Sequence, residues 1–187
     1  MSWPLKYRPR SLEDIALLDV RTQLLRLVSE GDLPQAFLFA GPKGSGKTST
    51  SRIISALLND DLDKEEIDKI FAGNSYIINE MDEASNRGID DIRSLKEKVS
   101  MPPQLGKIAV YILYEALMLT REAFNAFLKV LEEPHAHVVF ILATTELHKI
   151  PETIVSLCNL VRFRKAHDDE LSEVLSKILK AEKKEIN

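Results

Sequence analysis

The run Gly41-Pro42-Lys43-Gly44-Ser45-Gly46-Lys47-Thr48 combines three glycines with a lysine and a hydroxyl at fixed spacing. The glycines permit backbone conformations and close approach that side chains would block, so successive N–H groups can converge on one concavity and bind phosphate oxygens. Lys47 can reach the β and γ phosphates of a nucleotide, and the Thr48 hydroxyl can ligate Mg²⁺. The alternative is a glycine-rich turn without a ligand, and the context speaks against it. An apolar run, Ala36 to Ala40, precedes the loop, and Ser49 to Leu58 follows with Ile53, Ile54, Leu57 and Leu58 at helical spacing. A helix opening at this point adds the partial positive charge of its N-terminus. The motif is specific for nucleotide binding and silent on what the nucleotide is used for.

Hydrolysis needs more than a phosphate cradle: a held metal ion, an oriented water and positive charge as the transition state forms. The expected place for the acidic groups is the end of a neighbouring strand. Ile108 to Leu113 is an apolar run that ends in Tyr114-Glu115. Glu115 is a candidate base, the alternative being a solvated glutamate at a strand end. Tyr114 stands where a metal-holding carboxylate is expected, and a phenol that is neutral near pH 7 cannot supply that charge.

The elements that must position these groups alternate. Tyr76 to Ile78, Ile108 to Leu113 and Val138 to Ala143 read as further buried strands, and Leu160 to Phe163 is a candidate fifth. Between them, Ile89, Ile92, Leu95 and Val99 form one helical pattern. Ala123, Phe124, Phe127, Leu128 and Leu131 form another, stopped by Glu133-Pro134. The order predicts a parallel α/β sheet flanked by helices. Asn59 to Lys69 is acidic and reads as a surface connection with a turn or two of helix. From Asp168 onward Leu171, Val174, Leu175, Ile178 and Leu179 make one amphipathic helix that needs a partner.

Composition bounds the rest. The 187 residues are 44% hydrophobic and 29% charged, a globular balance sufficient for one principal domain. A net charge of −4 gives no overall signal for nucleic acid. The lack of a long apolar run predicts no membrane association and a cytoplasmic protein. The single cysteine, Cys158, excludes an internal disulfide framework and a multi-cysteine zinc site, and reads as a small apolar residue rather than a nucleophile. His135, His137, His148 and His167 show no ligand spacing.

Several stretches together resemble one family. Lys6-Tyr7-Arg8-Pro9 with Ser11 to Ile15, Asp82 to Arg93, Phe124 to Pro134, and Ala143-Thr144-Thr145-Glu146 through Pro151 are similar to the ATPase domain of the bacterial clamp-loader gamma/tau subunit of DNA polymerase III. They are more distantly similar to replication factor C. The resemblance implies an AAA+ P-loop NTPase with a five-stranded parallel sheet over residues 1–165 and the first helix of a lid over 166–187. It implies an ATPase component of a DNA polymerase holoenzyme that uses ATP to open a sliding clamp and place it on primed DNA with other clamp-loader subunits. ATP or ADP and Mg²⁺ are the implied cofactors. Tyr7, Arg8, Pro9, the loop Gly41, Pro42, Lys43, Gly44, Ser45, Gly46, Lys47 and Thr48, and Ser49 are the implied nucleotide contacts. Thr48 is the implied metal ligand, Glu115 and Thr145 are the implied catalytic pair, and Arg93 and Lys129 are the implied DNA contacts.

Departures from the family pattern qualify this picture. Ser156-Leu157-Cys158 has leucine where the family's Ser-Arg-Cys motif supplies an arginine to the neighbouring subunit. Leu117 stands for a frequent histidine, and His135 for a second proline. The family's four-cysteine zinc module is replaced by Asn59 to Lys69, so no zinc is expected. The pattern reads as a monomeric piece of a longer protein, able to bind nucleotide and impaired in hydrolysis. A non-hydrolysing structural or switch subunit, and another P-loop enzyme such as a kinase or helicase-type motor, are the other readings.

Overall fold

Strands that carry apolar residues on both faces require a covered sheet, and the chain builds one. The computed structural model describes residues 6–31, 33–81, 88–116 and 119–182. Strands β1 (Ala36–Ala40), β2 (Ile78–Met81), β3 (Ala109–Leu113), β4 (Val138–Thr144) and β5 (Asn159–Arg162) form one sheet in the order β2-β3-β4-β1-β5, all pairs parallel. Successive residues face opposite layers. Phe37, Phe39, Val110, Ile112, Val139 and Ile141 join one core, while Leu38, Tyr111, Leu113, Phe140 and Leu142 join the other.

Helices α1 (Leu18–Glu30), α2 (Lys47–Leu57) and α3 (Lys64–Ala72) cover the first face through Leu24, Ile53 and Ile70. Helices α4 (Ile89–Val99), α5 (Arg121–Glu132) and α6 (Glu152–Leu157) cover the second through Leu95, Phe127 and Ile154. Thr120 caps α5 by accepting a hydrogen bond from Ala123 N at 3.1 Å, and the helix ends at Glu132 as the Glu133-Pro134 pair predicts. Helix α7 (Asp168–Ala181) has no buried residue.

Some elements differ from the sequence expectation. Tyr76 is 93% exposed, outside the sheet, and β2 begins at Ile78. As an edge strand paired only with β3, β2 tolerates the polar Asn79 and Glu80, which the apolar-run criterion rejects. The acidic connection after α2 holds a full nine-residue helix, α3, capped by the Asp63 carboxylate and ended by Gly73 in the left-handed region at φ 77°. Helices α1 and α6 are additional to the expected set. Leu117 and residues 82–87 of the Asp82 to Arg93 stretch lie outside the described residues.

The acidic connection is tied to the sheet by Asn59, whose side chain is fully buried. Its Nδ2 donates to Ser55 O and Ile108 O at 3.0 Å each. Its Oδ1 accepts from Lys107 N at 2.8 Å and Ile108 N at 3.0 Å.

Candidate nucleotide site

The phosphate-loop sequence spans the turn from β1 into α2, at the carboxyl ends of the strands where open α/β sheets bind ligands. β1 lies between β4 and β5, and both fix the loop. Gly41 N donates to Thr144 O at 3.0 Å, while a Cβ at Gly41 would lie 2.2 Å from Phe163 O. Only glycine fits there. Gly44 and Gly46 take the left-handed φ values of 77° and 103° that turn the loop into the helix. Ser45 Oγ donates to Pro42 O at 2.8 Å, and Thr50 N donates to Gly46 O at 2.9 Å, closing the first turn of α2. Lys47 Nζ donates to Gly41 O at 2.6 Å and Pro42 O at 2.9 Å. Burial lowers its pKa, Glu115 opposes the shift, and Lys43 adds to it.

The loop borders a cleft with two unlike ends. One, of about 500 Å³, is lined by the apolar Pro9, Ile15, Ala16, Leu17 and Leu171 together with Gly44, Gly46 and Ser49 of the loop and the cations Lys43, Arg164 and Lys165. The other, of about 360 Å³, is lined by Arg8, Lys43, Lys47, Thr48, Tyr114 and Glu115. An apolar end and a cationic end sharing one loop could hold a base and its phosphates respectively. Arg8, Pro9, Lys43, Ser45, Lys47, Thr48 and Ser49 therefore come together as the sequence predicts. Tyr7 is not among the residues lining either end; its hydroxyl donates to Glu182 Oε1 at 2.7 Å.

Ala16, Leu17, Arg164, Lys165 and Ala166 line the apolar end without having been singled out in the sequence, and Leu171, read there only as part of an amphipathic helix, joins them. Arg164 follows β5 and forms a bidentate pair with Glu170, Nη1 to Oε2 at 2.7 Å and Nη2 to Oε1 at 2.8 Å, and a second contact with Asp19. Glu170 also accepts from Leu18 N and His167 N. Arg164 and these amides hold its carboxyl well below the ordinary range. Nothing local in the sequence marks Arg164; only the fold brings the exit of β5 beside the loop.

The two expected catalytic residues meet. Glu115 lies in the turn after β3 and Thr145 directly after β4, and Thr145 Oγ1 donates to Glu115 Oε2 at 3.1 Å. Glu115 has φ 49°, an uncommon conformation for a residue with a side chain and one found where local geometry is constrained. Its neighbour Tyr114 places a buried hydroxyl beside Thr48 and Glu80, yet that oxygen has no hydrogen-bond partner of good geometry. Burial first, then the charge of Glu80, push its pKa up to about 12, while Thr48 acts in the opposite sense. Glu80 is itself engaged by Arg52, whose Nη2 lies 3.0 Å from Oε1 and whose Nη1 donates to Phe71 O at 2.9 Å.

A divalent cation beside nucleotide phosphates takes oxygen ligands with a carboxylate among or behind them. The Thr48 hydroxyl could supply one oxygen. Among the described residues lining the cleft, Glu115 is the one carboxylate, and it is bonded to Thr145. Tyr114 remains neutral, and Glu80 is turned onto Arg52. This donor set does not fit a protein-held Mg²⁺.

Away from the cleft, Arg93 and Lys129 share one groove between α4 and α5 with Lys96 and Glu122, and Arg93 is also paired with Asp90 at 3.0 Å. Leu157 ends α6 and is 40% exposed. Burial pushes the Cys158 thiol up to about 12, which suits an inert apolar residue. His135 stacks on His137, whose Nε2 lies 3.0 Å from Val99 O.

A five-stranded parallel sheet with a phosphate loop after β1, an acidic turn after β3 and a threonine after β4 defines a P-loop fold of the AAA+ class. Solved structures share that fold. A gamma subunit-related protein of DNA polymerase III from Thermotoga maritima matches with a TM-score of 0.61 at 24% identity, over 87% of this chain and 52% of that one. The Thermotoga maritima Holliday junction branch migration motor RuvB matches with a TM-score of 0.67 at 18% identity, over 97% and 56%. The chain belongs to the DNA polymerase III, delta subunit family, whose model matches residues 19–167.

Curated relatives carry the tau and gamma/tau names that the sequence motifs resemble. Subunit tau of Bacillus subtilis is 37% identical over 96% of this chain and 34% of that protein. Subunit gamma/tau of Mycoplasma genitalium is 40% identical over 95% and 31%. Subunit tau of Escherichia coli is 35% identical over 95% and 29%. The chain spans about a third of the length of these relatives.

Proposed function

We propose that this chain is the nucleotide-binding domain of a DNA polymerase III clamp-loader subunit, which holds ATP or ADP and turns it over poorly. The observation that carries this reading is the convergence of the phosphate loop, Glu115 and Thr145 at the ends of β1, β3 and β4. In this reading the loop amides and Lys47 hold the phosphates, and Ile15, Ala16, Leu17 and Leu171 hold the base. Thr145, by donating to Glu115, orients that carboxylate as the general base for an attacking water.

Two departures reduce turnover. Tyr114 cannot hold a metal, and Leu157 cannot give a neighbouring subunit the arginine charge that is worth roughly 10³ to 10⁵ in rate in related phosphoryl transfers. The partners are other clamp-loader subunits, a sliding clamp and primed DNA in the cytoplasm, with Arg93 and Lys129 toward the DNA phosphates. Helix α7 is the first helix of a lid in this reading. The test is ATP binding and turnover by the purified chain and by Lys47→Ala. Binding that the variant loses, with turnover at background, is expected; turnover that the variant loses would refute the impairment. A second reading, a switch subunit without hydrolysis, is favoured by the neutral Tyr114 and predicts bound, unhydrolysed nucleotide in the complete assembly.

A further inference from the structure

We propose that this cleft takes its nucleotide without a protein-held metal ion, binding free ADP or ATP at least as tightly as their Mg²⁺ complexes. The inference rests on the nucleotide reading above and concerns the charge that the cleft offers the phosphates.

The cationic side chains that line the cleft, Arg8, Lys43, Lys47 and Lys165, face one carboxylate, Glu115, among the described residues. Arg164 also lines it, but its charge is matched by Glu170 and Asp19. The position beside Thr48 that a carboxylate would need is filled by the ring of Tyr114, its hydroxyl buried and unbonded. Glu80 behind it is held by Arg52, and Arg52 in turn donates to Phe71 O. Arg52 is itself buried, which holds its guanidinium in place on these partners.

Two consequences follow for a polyphosphate. Mg²⁺ on the phosphates cancels charge that these cations would otherwise meet, and among the described residues the one carboxylate of the cleft, Glu115, is already engaged by Thr145. A cation-rich site of this kind favours the more highly charged anion. A loop with a carboxylate at the Tyr114 position has the opposite preference, because that carboxylate repels free phosphate and welcomes the metal complex.

The test is titration calorimetry of the chain with ADP and ATP, in excess Mg²⁺ and in EDTA, repeated on Tyr114→Asp. The expected result is an affinity in EDTA equal to or greater than that in Mg²⁺. Tyr114→Asp should weaken binding in EDTA by about tenfold and restore it with Mg²⁺. A tenfold or greater loss on adding EDTA to the unmodified chain overturns the proposal, whatever the variant does, so a variant that fails to fold leaves the test intact. Absence of binding in both buffers overturns the nucleotide reading itself, and the proposal with it.

Discussion

Replacing Gly41 with alanine separates two roles of glycine in the phosphate loop. The added Cβ would sit 2.2 Å from Phe163 O and 2.7 Å from Phe163 C, main-chain atoms that cannot rotate away. Relief requires the exit of β5 to move outward. That movement strains the Phe163 N to Ala40 O bond of 2.7 Å and the Gly41 N to Thr144 O bond of 3.0 Å. Overpacking costs about 1–3 kcal/mol, and weakening two hydrogen bonds adds up to roughly 0.5 kcal/mol each, so the loss should be ~3 kcal/mol. For a chain of this length that lowers Tm by about 6–12 °C. Gly44→Ala meets no atom within 4 Å and carries only its left-handed φ of 77°, so it should cost ~1 kcal/mol. Calorimetric melting of both variants, with nucleotide affinity measured in parallel, compares them directly. Equal Tm shifts, or a Gly41→Ala protein that melts and binds like the parent, would refute the argument that β5 packs against the loop.

Three other outcomes are expected. Asn59→Ala removes all four bonds of a buried side chain, and urea unfolding should show a loss of about 2–4 kcal/mol, with Lys107 and Ile108 partly compensated by water. Tyr114→Phe deletes a buried hydroxyl that has no partner, and thermal melting should show a gain of roughly 1 kcal/mol. Because the folded-state Glu170 carboxyl is held below its ordinary value of 4.5, its contribution is complete above that pH and fades as pH falls beneath it. Far-UV helicity should therefore drop in acid before the sheet unfolds, and Glu170→Gln should remove that early phase.

The covered strands were legible because β1, β3 and β4 are apolar on both faces, and the loop because its glycines have conformational and steric reasons to be glycine. β2 was misplaced by two residues since an edge strand needs no continuous apolar run. Helix α1 carries a readable helical pattern in Val20, Leu24 and Leu27 ahead of Gly31 but no residue type that marks chemistry. In the site, Lys47, Thr48, Glu115 and Thr145 could be named from spacing or resemblance. Arg164 and Leu171 could not, because their part in the cleft depends on β5 lying beside β1 and on α7 folding back over the loop. The lack of a bonding partner for the Tyr114 hydroxyl is likewise a property of packing between Thr48 and Glu80.

Helix α7 contributes no buried residue and is fastened at its two ends, by Glu170 to Arg164 and Leu18 N, and by Glu182 to Lys6 and Tyr7. A fourteen-residue helix has little stability of its own in water, so its order depends on those fastenings rather than on the hydrophobic layers. Its amides should exchange with solvent through local opening, at a free energy far below that of the sheet, whose β1 and β4 amides exchange only when the whole domain opens. The wall of the cleft that carries Leu171 can thus come and go on its own timescale while the phosphate loop stays folded.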